Sequence, residues 1–332
     1  MRSKGAHLIG DGGRVAGAGR LTTTAAPSPH RPPGAAHLTA AVSLMVLAGA
    51  DVLTEAIAPP YVPSRDELYE APPVARRGLP ERRRLDDGGR RRPPTVSLVI
   101  PALNEERNLP NVLSQLPPDV HEVVLVDGRS TDRTLEVVRE MVPDVVVVAQ
   151  PGFGKGDALR AGFEAASGDA IVMLDADGSM NPREIPRFVD ALQGGAEFVK
   201  GSRFLSGGGS ADITWLRKAG NLGLRTIFNG LYGAEHTDLC YGFAAFWRRC
   251  LPELSFTNDG FEVETVLCIR SAQADLRVCE VPSFELRREH GQSNLRVIRD
   301  GWRIVNVLLR ERRHLRGHAP GLLFEEEPSV AY

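Results

Sequence analysis

The 332-residue chain has only four cysteines, Cys240, Cys250, Cys268 and Cys279, and no two form a C-x-x-C pair. Such wide, unequal spacing argues against a zinc site and supplies no disulfide framework, so the reduced thiols of a cytosolic protein are the expectation. The formal net charge is −2, so no basic excess points to nucleic acid. Nucleotide loops of the familiar kinds are also missing. In QPGFGKGDA a P-loop would need glycine at Ala149 and a hydroxyl at Gly156, and a dinucleotide fingerprint would need glycine at Asp157. Both a P-loop ATPase and a dehydrogenase are thereby disfavoured. The apolar stretch LTAAVSLMVLAGA (38–50) has 13 residues, too few to span a bilayer, which takes about 20. Ala48-Gly49-Ala50 has the look of a signal cleavage site, but the 37 residues before it exceed a usual n-region. A short helix packed on the core, or an extension from an upstream start codon, is expected instead.

What is present is uneven along the chain. Residues 1–94 are rich in Gly, Pro, Ala and Arg with little periodicity. Within them RRGLPERRRLDDGGRRR (76–92) carries eight arginines against three acids. Its simplest reading is a disordered arm, with contact to anionic lipid head groups as the alternative. Overall composition, 42% hydrophobic and 25% charged, is that of an ordinary soluble globular protein. The catalytic domain is expected over 95–315 and a flexible tail over 316–332.

From Thr95 the pattern changes. TVSLVIPA (95–102), HEVVLVDG (121–128), DVVVVAQ (144–150) and DAIVMLD (169–175) are short β-branched runs, continuous rather than alternating. Such runs predict strands covered on both faces, as in a parallel sheet. Helical segments separate them. NEERNLPNVLSQL is interrupted or kinked at Pro110, STDRTLEVVREMV has Ser130 or Thr131 as its cap, and KGDALRAGFEAA follows the third strand. After the fourth strand, NPREIPRFVDALQ has Asn181 as cap and Pro182 in the first turn. The alternation predicts an open, mainly parallel α/β sheet, Rossmann-like, with helices on its faces.

Ligands of such sheets bind beyond the carboxyl ends of the strands. Here those ends read Asn104-Glu105, Asp127, Gly154-Lys155 and Asp175-Ala176-Asp177. A lone D-x-D triplet is weak evidence, but this one closes a buried strand in line with three other polar ends. Two carboxylates one residue apart suit a hard cation, Mg²⁺ or Mn²⁺, that bridges to phosphates. Lys155 by itself reads equally well as a solvated helix start.

Together VSLVIPALNEERNL, VVLVDGRSTDRT, GKGDALRAGFEAASGDAIVMLDADGSMNP and VKGSRF resemble family 2 glycosyltransferases of the GT-A fold. The resemblance runs over roughly residues 95–300 and is strongest to the dolichol-phosphate and polyprenyl-phosphate sugar synthases. It implies that Pro101, Leu103 and Glu105 contact the donor nucleoside and that Asp127 lies near the base. Gly128 and Arg129 replace an acid and a glycine of the family's D-D-G-S-x-D element, which leaves guanine or uracil open. It further implies that Lys155, Asp175, Ala176 and Arg203 serve the donor diphosphate, with Asp175 and Asp177 holding the metal. Ser179 stands where many relatives have Gln, so His290 is expected as a third metal ligand. HTDLCYGFAAFWRR resembles the acceptor-side segment through Asp238 and Tyr241-Gly242-Phe243. In DGFEVETVLCIRSAQ, Glu262 is favoured over Glu264 for the cleft. RREHGQSNL resembles a closing loop with Arg288 as its cation, although Asn294 replaces a usual lysine.

The activity so implied is inverting transfer of mannose or glucose from a GDP- or UDP-hexose to polyprenyl phosphate. Asp177, Arg203, Glu262 and Arg288 are its expected catalytic residues. A lipid phosphate needs no strong base, whereas a hydroxyl acceptor would need Asp259 or Glu262 to take its proton. The alternative acceptor is a small phosphorylated or hydroxyl compound of the phosphoglycerate type. A nucleotidyltransferase fits less well, because PALNEE stands where its Gly-rich loop would follow the first strand. Residues 294–313 read as a basic amphipathic helix, with Leu295, Ile298, Trp302, Val305 and Leu309 at helical spacing and Arg299, Arg303 and Arg310 elsewhere. Such a helix lies in a membrane interface or packs on the domain. The expected location is cytoplasmic, with peripheral contact at the inner membrane face.

Overall fold

The computed structural model describes residues 92–291 and 297–317. The expectations placed on 1–91 and on the tail beyond 317 lie outside the described residues, as do Asn294 and Leu295. Four elements alternate with helices at the start: β1 (Val96–Ala102), α1 (Leu109–Leu113), β2 (Val120–Asp127), α2 (Thr134–Met141), β3 (Val146–Ala149), α3 (Lys155–Ala165) and β4 (Ala170–Met173). A 3₁₀ turn over Pro182–Glu184 leads into α4 (Ile185–Gln193), followed by β5 (Phe198–Ser202), β6 (Gly209–Ser210) and α5 (Trp215–Tyr232). The rest is β7 (Ala244–Trp247), α6 (Val263–Gln273), β8 (Val278–Pro282), β9 (Phe284–Glu285) and α7 (Val297–Gly317).

The main sheet has the order β3-β2-β1-β4-β7-β5-β8. All its neighbours run parallel except β7, which is antiparallel to both β4 and β5. β6 and β9 form a separate parallel pair. The β-branched runs behave as expected in β1, β2 and β4, where nearly every residue from Val123 onward and throughout Ala170–Met173 is buried. β3 is the exception: it lies at the sheet edge and is partly exposed.

Local chemistry explains the helix ends. Pro110 sits in the first turn of α1, so the helix is a five-residue segment rather than a kinked long one. α2 begins at Thr134, later than a Ser130 or Thr131 cap predicts, because Asp132 takes over: its carboxylate accepts from the Thr134 N–H at 3.0 Å. Asn181 does cap as expected, accepting from the Arg183 N–H at 3.1 Å ahead of the 3₁₀ turn.

Two apolar layers cover the sheet. One joins Val99, Val126, Phe163, Phe246 and Phe198 to Phe228, Ile304 and Leu308; the other joins Leu98, Ile100, Leu109, Leu125, Phe188 and Phe243. α7 therefore packs on the domain, with Ile304, Val305, Val307 and Leu308 buried and the Tyr232 hydroxyl donating to the Leu308 carbonyl at 3.0 Å. Trp302 departs from the expected apolar stripe, since it is 52% exposed. All four cysteines are unpaired, and burial pushes the Cys240 and Cys268 thiols up to about 12, which keeps them protonated and inert.

Candidate active site

The carboxyl ends of β1, β2, β3 and β4 lie side by side because these strands are parallel neighbours. The loops leaving β1 and β2 are stitched to each other. Asn104 N–H donates to Ser130 Oγ at 3.0 Å, Thr131 N–H to Asn104 Oδ1 at 2.8 Å, and Glu105 N–H to Thr134 Oγ1 at 2.9 Å. Asp127 is buried and accepts from the Ser130 N–H at 3.1 Å. Pro101, the penultimate residue of β1, is half-buried, while Leu103, just past the strand, is 54% exposed.

Lys155 is not a solvated helix start. Its ammonium lies 2.6 Å from Asp175 Oδ1 and 2.7 Å from Glu264 Oε1, almost fully buried. Burial alone would lower its pKa, but the two carboxylates override that and raise it, so the lysine stays charged. The flanking glycines are a packing device. The loop 258–260 presses on the start of α3, so a Cβ at Gly156 would sit 2.1 Å from the Asn258 carbonyl, and one at Gly154, where φ is +89°, 2.2 Å from that of Asp259. Gly156 N–H seals the contact by donating to the Asp259 carbonyl at 2.8 Å. At Gly242 an added Cβ would meet Lys155 Nζ at 2.9 Å and Asp175 Oδ2 at 3.0 Å, so this glycine lets the chain back directly onto the ion pair.

Asp175 is pushed up to about 6 by burial, with Asp177 and Glu264 adding to the rise and Lys155 opposing it. Asp177 pairs with the Arg288 guanidinium and accepts from the Ser179 N–H at 2.9 Å. Ser179 thus holds the second aspartate through its backbone. Glu105 is also raised, by burial first and then by the charges of Asp177 and Asp175, against a hydrogen bond from Asn108 and the charge of Arg288. Ala176 is buried between the two aspartates and contributes no polar side chain. The result is a group of carboxylates held together by Lys155 and Arg288, which a divalent cation and a polyphosphate would suit. Among the described residues, no three His, Cys, Asp or Glu side chains gather as a ready metal cage. His290 joins no such group with the aspartates; its carbonyl accepts from Asn108 at 3.3 Å.

Other expectations need adjusting. Glu264, not Glu262, is the acid of α6 that lines the cleft. Two helical positions differ by about 200°, so only one of the pair can face inward, and the Lys155 contact selects Glu264. Glu262 stands at the helix N-terminus, with its carboxylate beside Gly260. Asp259 is 63% exposed on its side chain and pairs with Arg160 at 3.0 Å. Arg203 is buried, and its guanidinium is held by Asp238 (2.7 and 3.0 Å) and by both oxygens of Glu285 (3.1 Å). Most of its donors are thereby committed to protein carboxylates rather than directed at a phosphate. Asp238 is held below the usual carboxylate range despite burial, because Arg203 outweighs the desolvation. Phe243 stacks on Phe188 with centroids 4.2 Å apart and belongs to the core.

A cavity of about 280 Å³ opens from Lys155, Asp175, Asp177 and Arg288. Its lining also takes in residues of α5, α6 and α7, among them Leu216, Leu222 and Trp302, and Phe261 just before α6. Glu264 and this apolar wall could not be assigned from the sequence. The only signal was the paired acids of DGFEVE, and choosing between them needs the helix start at Val263.

Residues 97–254 match the model of glycosyl transferase family 2. Over 224 residues the chain is 31% identical to glycosyltransferase AglJ of Haloferax volcanii, a match spanning 67% of this chain and 73% of that one. The chain belongs to glycosyl transferase family 2. A second member, polyprenol monophosphomannose synthase of Mycolicibacterium smegmatis, is 32% identical over 212 residues, covering 60% of this chain and 80% of its own. Some relatives are longer, and the match spans 55 and 59% of two of them. Among solved structures, glucosyl-3-phosphoglycerate synthase of Mycobacterium tuberculosis in complex with Mn²⁺, UDP and its product superimposes with a TM-score of 0.52. That pair is 26% identical and covers 66% of this chain and 80% of the other. The fold is accordingly the GT-A arrangement, and the protein is a family 2 glycosyltransferase, a hexosyltransferase using a nucleotide-sugar donor.

Proposed function

We propose that this enzyme transfers a hexose, mannose or glucose, from a nucleotide sugar to a polyprenyl phosphate, with inversion at the anomeric carbon. The observation that carries the acceptor assignment is the mixed lining of the cavity: it joins the charged Lys155, Asp175, Asp177 and Arg288 to apolar side chains, of which Leu222, Phe261 and Trp302 are exposed. A lipid phosphate is charged at one end and apolar along the rest. The relatives named for dolichyl or polyprenol phosphate support the same reading. Residues 95–315 form the catalytic domain in this reading, with 1–94 an extension and 316–332 a tail.

The residues divide the work as follows. Asp175 and Asp177 would hold Mg²⁺ or Mn²⁺, and two protein carboxylates leave room for phosphate oxygens and water in its shell. When bound, such a cation neutralises the donor diphosphate and makes the nucleoside diphosphate a better leaving group. Arg288 adds a charge-assisted donor where negative charge grows. Lys155 keeps Asp175 and Glu264 in register. The acceptor phosphate oxygen attacks the anomeric carbon as the bond to the donor's β-phosphate oxygen breaks. That oxygen is already anionic, so no side chain need take a proton. Arg203 serves by fixing Asp238 and Glu285 beneath the cleft.

In this reading the exposed Leu222, Phe261 and Trp302 would meet the lipid surface from which such an acceptor comes. Among the described residues no helix is long and apolar enough to cross a membrane, so a peripheral contact is the form proposed.

The likeness to glucosyl-3-phosphoglycerate synthase supports a second acceptor, a small phosphorylated acid. An assay with GDP- and UDP-hexoses, Mg²⁺ and either short polyprenyl phosphate or 3-phosphoglycerate separates the two. Radiolabel passing into the organic phase supports the lipid acceptor. Product in the aqueous arm alone sinks it.

A further inference from the structure

Arg129 occupies a backbone position that favours glycine. Its φ is +69°, in the left-handed region that L side chains avoid. An arginine kept there needs a return that glycine could not give. Its side chain supplies one. The guanidinium donates to the Pro151 carbonyl at 3.0 Å and to the Gly152 carbonyl at 3.1 Å, and its centre lies 4.4 Å from the centroid of the Phe153 ring. Arg129 thus pins the loop after β3 and presents Phe153 on it. Phe153 is 79% exposed, so the protein covers little of the ring besides the face that Arg129 takes. An aromatic held by one cation–π contact, on a loop pinned by two hydrogen bonds, and otherwise left bare is a stacking platform rather than a packing residue.

Its place in the fold says what would stack there. Phe153 is two residues before Lys155, whose ammonium touches Asp175, so the platform lies within about 7 Å along the chain of the start of the diphosphate end. Gly128, next to Arg129, is in close contact with Leu103: a Cβ on that glycine would lie 3.3 Å from Leu103 Cβ and 3.1 Å from Gln150 Oε1. Leu103, Gly128, Arg129 and Phe153 therefore make one shelf across the ends of β1, β2 and β3, with buried Asp127 behind it. From β4, which carries the aspartates, two strand spacings reach β2, about 10 Å. The ribose and base of a nucleotide held by its phosphates at β4 are long enough to span that distance.

We infer that Arg129 and Phe153 form a coupled stacking wall for the donor nucleobase, with Arg129 a positioning residue that acts through Phe153. The inference rests on the donor-binding reading of this site. Face-on stacking is tolerant of base identity, so the wall supplies affinity for the nucleoside while discrimination falls to the polar groups behind it.

The test uses the full chain and calorimetric binding of UDP, GDP and inorganic pyrophosphate in Mg²⁺. Arg129→Gly suits the +69° backbone and Phe153→Ala removes an exposed ring, so both variants are expected to keep the wild-type melting temperature. Each raises the Kd of the preferred nucleoside diphosphate about tenfold, the double variant is no weaker than either single one, and pyrophosphate binding moves less than twofold. With saturating nucleotide sugar kcat stays within twofold of wild type while the donor KM rises. Wild-type nucleotide affinity in either single variant overturns the wall. So does an equal loss for pyrophosphate, or losses that multiply to about a hundredfold in the double variant. If the wild-type protein binds pyrophosphate but neither nucleotide, the wall fails alone; if it binds none of the three, the donor reading of the site fails with it.

Discussion

At the scale of single residues, the site is defined by how buried charges are balanced. Arg203 joins Asp238 and Glu285 in the interior, and removing one partner of a buried pair strands the other. Arg203→Met is therefore expected to lower stability by about 3–5 kcal/mol in urea unfolding, with lost activity following the lost fold. Gly242 gives a cleaner separation. A methyl group there intrudes on the Lys155–Asp175 pair, so Gly242→Ala should cut kcat at least tenfold while circular dichroism stays native. A different residue sets a pH dependence. Glu184 is pushed up to about 7 from 4.5, by burial first, against hydrogen bonds from Ser283 and Phe284 and the charge of Arg187. Because the folded state binds this proton more tightly than the unfolded one, its contribution is full below about pH 4.5 and is lost as pH rises through about 7. The span is about 3 kcal/mol at 1.36 kcal/mol per pKa unit. Glu184→Gln keeps an acceptor for the Phe284 N–H and should flatten stability against pH across that window. An unchanged slope would mean that Glu184 titrates normally.

Between elements, the contact of α7 with α5 and α6 is what closes the far wall of the cavity. Leu308 is fully buried there and Arg270 of α6 reaches Glu311 of α7 at 3.0 Å. Leu308→Ala should cost about 2–5 kcal/mol and raise the acceptor KM more than the donor KM, read by initial rates at varied concentrations of each. The elements differ in how far the sequence revealed them. β1 to β4 were legible because continuous β-branched runs have few other uses, and Asp175-Ala176-Asp177 was legible because it ends one of them. β5, β7 and β8 were not: Lys200, Gly201 and Ser202 interrupt the apolar run of β5, Glu280 and Pro282 that of β8, and the antiparallel β7 enters the sheet from a distant part of the chain. Lys155 was legible as a cation near the strand ends but not as a buried one, since its burial depends on the 258–260 loop pressing on Gly154 and Gly156. Arg203 was legible as important and not as saturated, because Asp238 and Glu285 come to it from 35 and 82 residues away.

For the whole molecule, the proposed function assigns the donor to the carboxyl ends of the strands and the acceptor to the cavity lined by α5 and α7. The two meet at Asp175, Asp177, Lys155 and Arg288, where charge is gathered before any ligand arrives. If that meeting point is the reaction centre, the second aspartate cannot be spared, although its replacement by a neutral isostere leaves the packing intact. The direct measurement is the initial rate of sugar transfer from the preferred nucleotide sugar to polyprenyl phosphate, in Mg²⁺, for wild type and Asp177→Asn. The account predicts a fall of at least a hundredfold in the variant with an unchanged melting profile. Wild-type transfer by Asp177→Asn would contradict it.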